Sequence, residues 1–181
     1  MKQLSIFLII SLIVLSATSQ QRNCGTIQYL EFLKSKDPQL KDRMANNELK
    51  LQKWIKDNSN AKSTVLTIPV VVHVVWNINA ENISDSQIFS QMDVLNEDFR
   101  RNNNDASNTP SIWQNIAADC EIEFCLATTD PNGLPTNGIT RTQTSQTSFS
   151  ISNDDMKSSS SGGIDPWDQD DYLNIWVCDL S

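Results

Sequence analysis

Ile68–Trp76 reads IPVVVHVVW, nine residues in which only Pro69 and His73 are not strongly apolar. No polar residue alternates through the run, so both faces of the segment have to be covered. That is the pattern of a strand in the middle of a parallel sheet with layers above and below it. A strand of this kind sets the fold class as α/β and predicts further strands and at least one backing helix.

The segments that follow supply them. In NISDSQIFSQMDVLNEDFRR, Asn82–Arg101, Ser84 and Gln87 form a capping box, and Ile83 and Ile88 are placed for a hydrophobic staple. Ile88, Met92, Leu95 and Phe99 make the apolar stripe, and Arg100 and Arg101 close the helix at the negative end of its dipole. A shorter helix is expected from Thr109-Pro110 to Ala117. EIEFCLA, Glu121–Ala127, reads as the second strand, and Asp130-Pro131-Asn132-Gly133 as a turn. The Ser/Thr-rich stretch from Thr140 to Gly163 reads as a surface excursion, and Tyr172–Cys178 as the third strand. Strand, helix, strand, excursion, strand implies parallel pairing through right-handed crossovers.

Upstream of the deciding strand the composition changes. Of 181 residues, 39% are hydrophobic and the net charge is -8, enough for one sizeable core. Residues 20–64 hold nine Lys/Arg against five Asp/Glu, whereas residues 65–181 hold four against seventeen. Two parts of opposite charge are expected to attract each other, and the acidic part does not suit nucleic acid. In the basic part Ile27, Leu30 and Leu33 share a helical face. Asp37-Pro38 then offers an N-cap with proline in the first turn, and Leu40, Met44, Leu51 and Ile55 continue at helical spacing beside Trp54. NSNAKS, Asn58–Ser63, is a polar linker. Residues 20–64 read as a helical segment on a tether, too small to build its own core.

Residues 1–19 read as a secretory signal peptide. Lys2 gives the positive start, Leu4–Leu15 is an apolar run short of about 18 residues, and Ala17-Thr18-Ser19 gives small residues at a cleavage site. Export places Cys24, Cys120, Cys125 and Cys178 where disulfides persist. One pair among Cys120, Cys125 and Cys178 is expected, its connectivity open.

Residues with obvious chemistry are few. His73 is the single histidine, and in the middle of a covered strand it reads as a packed core residue before it reads as a ligand or base. Glu121 and Glu123 share a strand face about 7 Å apart. That spacing suits paired-carboxylate hydrolysis, but a solvated face opposite a core face explains it better. Asp168, Asp170 and Asp171, or Asp130 with Asn132, offer oxygen ligands of the type calcium takes, without a complete EF-hand loop. No G-x-S-x-G, phosphate loop or H-E-x-x-H is present.

Four segments together carry a resemblance: IPVVVHVVWN; ENISDSQIFSQMDVLNEDFRRNNNDASNTP; ADCEIEFCLATTDPNGLPTNGITR; and GGIDPWDQDDYLNIWVCDLS. In this order they resemble the cytophagalysin and pappalysin family of secreted zinc metallopeptidases, which are metzincins. The resemblance runs from about residue 22 onward. It implies a signal peptide at 1–19, a helical pro-segment and linker at 20–64, and the N-terminal part of a metallopeptidase catalytic domain at 65–181. It also implies a zinc cofactor that polarises a scissile peptide carbonyl, a protein or peptide substrate, and secretion with no membrane attachment once the signal is removed. The pro-segment is expected to dock on its own catalytic domain. The family's histidine ligands and catalytic glutamate match no residue here, and His73 is not their equivalent. The chain is therefore expected to be a truncated, inactive N-terminal portion.

Cys24 is the one candidate metal-site residue. It stands in Arg22-Asn23-Cys24-Gly25-Thr26 ahead of a helix, and in the resembling family a pro-segment cysteine in such a setting occupies the fourth zinc position. A thiolate is a strong zinc ligand and a neighbouring glycine lets the backbone come close. The alternative class is an exported non-catalytic binding module using Trp113, Trp167 and Tyr172. A third is a structural or inhibitory pro-segment protein.

Overall fold

The computed structural model describes residues 25–58 and 64–180. The signal peptide, Cys24 and most of the NSNAKS linker lie outside the described residues. Two helices come first, α1 (Thr26–Lys36) and α2 (Leu40–Asp57). Then follow β1 (Leu66–Trp76), α3 (Asp85–Phe99), β2 (Ile122–Leu126), β3 (Ile139–Gln143) and β4 (Leu173–Val177). The result is the expected α/β architecture, a parallel sheet with a backing helix.

Every other strand pairs with β1, and each pairing is parallel. β2 lies against Leu66–Val70, β3 against Val72–Trp76, and β4 against Val70–Val74. Each edge of a strand is used once, so β4 takes one edge while β2 and β3 lie end to end along the other. Where they abut there is no room for a side chain. A Cβ on Gly138 would stand 2.7 Å from the Ala127 nitrogen, and its φ of +72° suits glycine.

The unrelieved valine run is covered on both sides, as its pattern requires. Val70, Val72 and Val74 pack with Ile88 and Met92 of α3 and with Phe124 of β2. On the other face Val75 packs with Phe149 and Met156, both from the segment between β3 and β4. Helix α3 starts as read, Ser84 Oγ accepting from the Gln87 amide at 3.3 Å. Asn96 then clamps it to β2, giving an N–H to the Phe124 carbonyl (3.0 Å) and accepting the Phe124 N–H (2.7 Å).

Three expectations need correction. The stretch from Thr140 is not all excursion: its first residues form β3, and Phe149 and Met156 further on are buried. The helix expected over 109–117 gives way to single turns, Trp113 N–H to Pro110 O and Ala117 N–H to Trp113 O. Ile112, Trp113 and Ile116 stay exposed, so no buried face supports so short a helix. Cys120, Cys125 and Cys178 are all free thiols. Cys125 is on β2 and Cys178 follows β4, across β1 from each other, which is about two strand spacings and beyond the reach of a disulfide.

Asp37 accepts from the Gln39 amide at 3.0 Å and so shapes the turn ahead of α2, but the helix itself starts later than read, with Gln39 at its N-cap and no side-chain cap bond. Among the described residues no helix is long and apolar enough to cross a membrane.

Candidate functional site

His73 is fully buried in the centre of β1. Its Nε2 lies 2.9 Å from Asn174 Oδ1 on β4, and its Nδ1 lies 2.7 Å from Thr140 Oγ1 on β3. The Asn174 oxygen also accepts the Trp167 amide at 2.8 Å, and its Nδ2 donates to the carbonyls of Trp167 and Tyr172. An amide carbonyl oxygen only accepts, so His73 carries its proton on Nε2 and accepts the Thr140 hydroxyl at Nδ1. Burial pushes the imidazole pKa below its ordinary value, and the hydrogen bond to Asn174 opposes this in part. Both ring nitrogens are committed. His73 is a neutral tie between three strands, as read, with no lone pair left for a metal.

Several of the other candidates are likewise committed to the fold. Glu121 precedes β2 with φ of 52°, while Glu123 pairs with the Arg100 guanidinium, which also binds Asp119 at 3.0 Å. The Glu123 carboxylate is thus committed to Arg100. Asp130 Oδ1 accepts the amides of Asn132 and Leu134 and so builds the turn. Asp168 Oδ1 accepts the Asp170 amide. Trp167 and Tyr172 meet edge to face at 5.0 Å, and the Tyr172 hydroxyl donates to the Thr129 carbonyl. Trp113 stands exposed on its turn, not with them. Among the described residues no group of three or more His, Cys, Asp or Glu is placed to hold a metal ion. The described residues therefore do not fit a zinc site. Cys24 lies outside them.

One cluster was not singled out from the sequence. The Tyr29 hydroxyl on α1 donates to Asp154 Oδ1 (2.7 Å) and accepts from Lys157 Nζ (2.6 Å), which also pairs with Asp154 at 2.9 Å. Burial and the hydrogen bond with Asp154 raise the Tyr29 pKa. For Lys157, burial opposes the charge, but the bonds to Tyr29 and Asp154 outweigh it and raise its pKa. For Asp154, burial pulls upward and the bonds from Tyr29 and Lys157 win, lowering it. The contact spans more than 120 positions, so no local spacing announces it.

Comparison with solved structures supports a relationship to a metallopeptidase. The relatives are solved structures of mirolysin. A complex with compound 9 is 58% identical over 66% of this chain and 44% of that chain, with a TM-score of 0.64. Mature mirolysin of Tannerella forsythia with a cleaved peptide is 57% identical over 64% of this chain and 43% of that one, TM-score 0.61. A promirolysin variant of the same organism is 48% identical over 86% of this chain and 50% of that one, TM-score 0.70. The chain thus spans half or less of the length of these relatives. No protein-family model matches it, and no curated protein does.

Proposed function

We propose that the chain is the N-terminal part of a secreted zinc metalloendopeptidase precursor of the cytophagalysin and pappalysin type. Residues 1–19 are its signal peptide, 20–64 its pro-segment and linker, and 65–181 the start of its catalytic domain. The observation that carries this reading is a difference in coverage. The match to promirolysin takes in 86% of the chain, while the matches to mirolysin take in 66% and 64%. A pro-form that covers more than the mature forms is what a chain carrying its own pro-segment would give. Peptide substrates follow from the mature relative solved with a cleaved peptide.

Among the described residues no three His, Cys, Asp or Glu are gathered to hold a metal; in this reading the catalytic zinc ligands come from the rest of the complete precursor. Within the chain, Cys24 is the residue suited to hold that metal in the latent state. The test uses the complete precursor. Cys24→Ala is expected to shorten the lag before activity on a protein substrate, and a chelator to abolish that activity. Activity that survives metal removal would sink the peptidase reading; an unchanged lag would sink the role of Cys24.

A further inference from the structure

Neither N-terminal helix has a fully buried residue, and Leu30, Phe32 and Leu33 of α1 are only half-buried, so a buried core does not by itself explain what holds α1 in place. The described contacts are specific. Gly25, at the start of α1, lies so close to Ile151 that a Cβ there would stand 2.8 Å from Ile151 Cδ1. One turn on, Tyr29 makes its paired hydrogen bonds with Asp154 and Lys157. The Lys157 ammonium lies 4.3 Å from the Tyr29 ring centroid and 5.7 Å from that of Trp176 on β4, so it sits between two aromatic faces.

The surface receiving Tyr29 is itself fixed to the sheet. Met156 and Phe149 are buried against Val75, and the Trp176 indole N–H donates to the Ile164 carbonyl at 3.1 Å. Gly163 lies where a Cβ would meet the Met156 carbonyl oxygen at 2.2 Å, so the turn around Met156 cannot be loosened by a side chain there. A cleft of about 270 Å³ remains between Gly25, Tyr29, Ile151 and Met156.

We propose that Ile151, Asp154, Met156 and Lys157 form the docking seat of the pro-segment, with the Tyr29 phenol as its anchor. The seat holds the start of α1 against the catalytic part. This inference rests on reading residues 20–64 as a pro-segment. It adds the surface on which that segment is recognised and the side chain that recognises it. A charged hydrogen-bond pair, a ring stacked on a cation and a glycine contact are together selective for this helix in this register. Loss of the hydroxyl alone weakens the hold without disturbing a core.

The experiment takes the complete precursor with Tyr29→Phe, with Lys157→Met, and with Cys24→Ala as reference. Amide hydrogen exchange across residues 27–36 and the lag before activity are followed together. Tyr29→Phe and Lys157→Met are each expected to speed exchange in α1 about tenfold, the size of one lost charged hydrogen bond, and to shorten the lag. Exchange unchanged in both variants overturns the seat. Faster exchange with an unchanged lag, in a precursor where Cys24→Ala does shorten it, overturns its part in latency. If Cys24→Ala leaves the lag untouched, the latency reading of Cys24 fails instead, and the exchange data still decide the contact.

Discussion

Strand β1 and helix α2 are both rich in large apolar residues, and both take the secondary structure that their patterns dictate. They end in opposite surroundings. Val70, Val71 and Val74 are 0% exposed, whereas Trp54 and Leu51 are 60% and 50% exposed. The strand's apolar residues are continuous, so the chain must bring a layer to each face, and α3 and the segment holding Phe149 do so. The helix's residues form a stripe along one side. A stripe specifies a helix without specifying what, if anything, lies on it. Hydrophobic pattern fixes local shape, while burial follows from what the rest of the chain can reach.

The widest gap between the two regions should appear on placing a charge in each. Val74→Asp puts a carboxylate between sheet and helix with no partner, at a cost of about 4 kcal/mol or more. Chemical denaturation should show that variant largely unfolded. A cooperative transition near that of the parent would mean that the strand is not covered as described.

Next in size is His73→Ala, which leaves a cavity at the centre of β1 and removes hydrogen bonds from Thr140 and Asn174, costing about 3 kcal/mol. The parent should also lose stability in mild acid. Burial holds the folded imidazole pKa below the ordinary value, so the unfolded chain binds the proton more readily. The stability this contributes is complete above about pH 6.5 and falls as pH drops from there toward the folded pKa. Denaturation midpoints between pH 7 and 5 should decline in the parent and flatten in the variant; parallel curves would assign the acid sensitivity elsewhere.

The smallest effect belongs to α2. Leu51→Ser should cost about 0.5 kcal/mol, no more than the difference in helix propensity. A loss well above that would mean the stripe is covered in solution, and the contrast between the two regions would then close.

Most of the sheet was legible in the sequence because covered strands and capped helices carry their own signals. β1, α3 with its Ser84 cap, β2 and β4 all stand where the pattern put them. β3 did not declare itself. Of Ile139, Thr140, Arg141, Thr142 and Gln143 only the first is apolar, and the alternating threonines were the sign of a half-covered strand. The helix expected after Pro110 had an apolar spacing but nothing to pack on. The expected disulfide failed because spacing along the chain does not reveal which edge of β1 a cysteine falls on. At the site the legible part was His73 as a packed core residue; its partners Thr140 and Asn174 were not legible, because they lie on other strands far along the chain. The Tyr29 seat joins residues with no shared periodicity, and only the folded chain brings them together.

The arrangement of every strand around β1 has a consequence for assembly. His73 waits for Thr140, 67 positions later, and for Asn174, 101 positions later. Helix α3 can cover one face early, but the strand's edges and its other face wait for later segments, so part of the valine run stays uncovered until most of the chain has emerged. Such non-local parallel pairing is slow, and a bare β-branched run is a hazard for self-association in the meantime. The two residues that break the run acquire a second meaning in this light. Pro69 lacks an N–H to offer a neighbouring chain, and His73 is a polar side chain that a dry stack of strands cannot satisfy. They flank Val70-Val71-Val72 as interruptions against mispairing during folding. In the finished sheet one of them becomes the hub that ties three strands together.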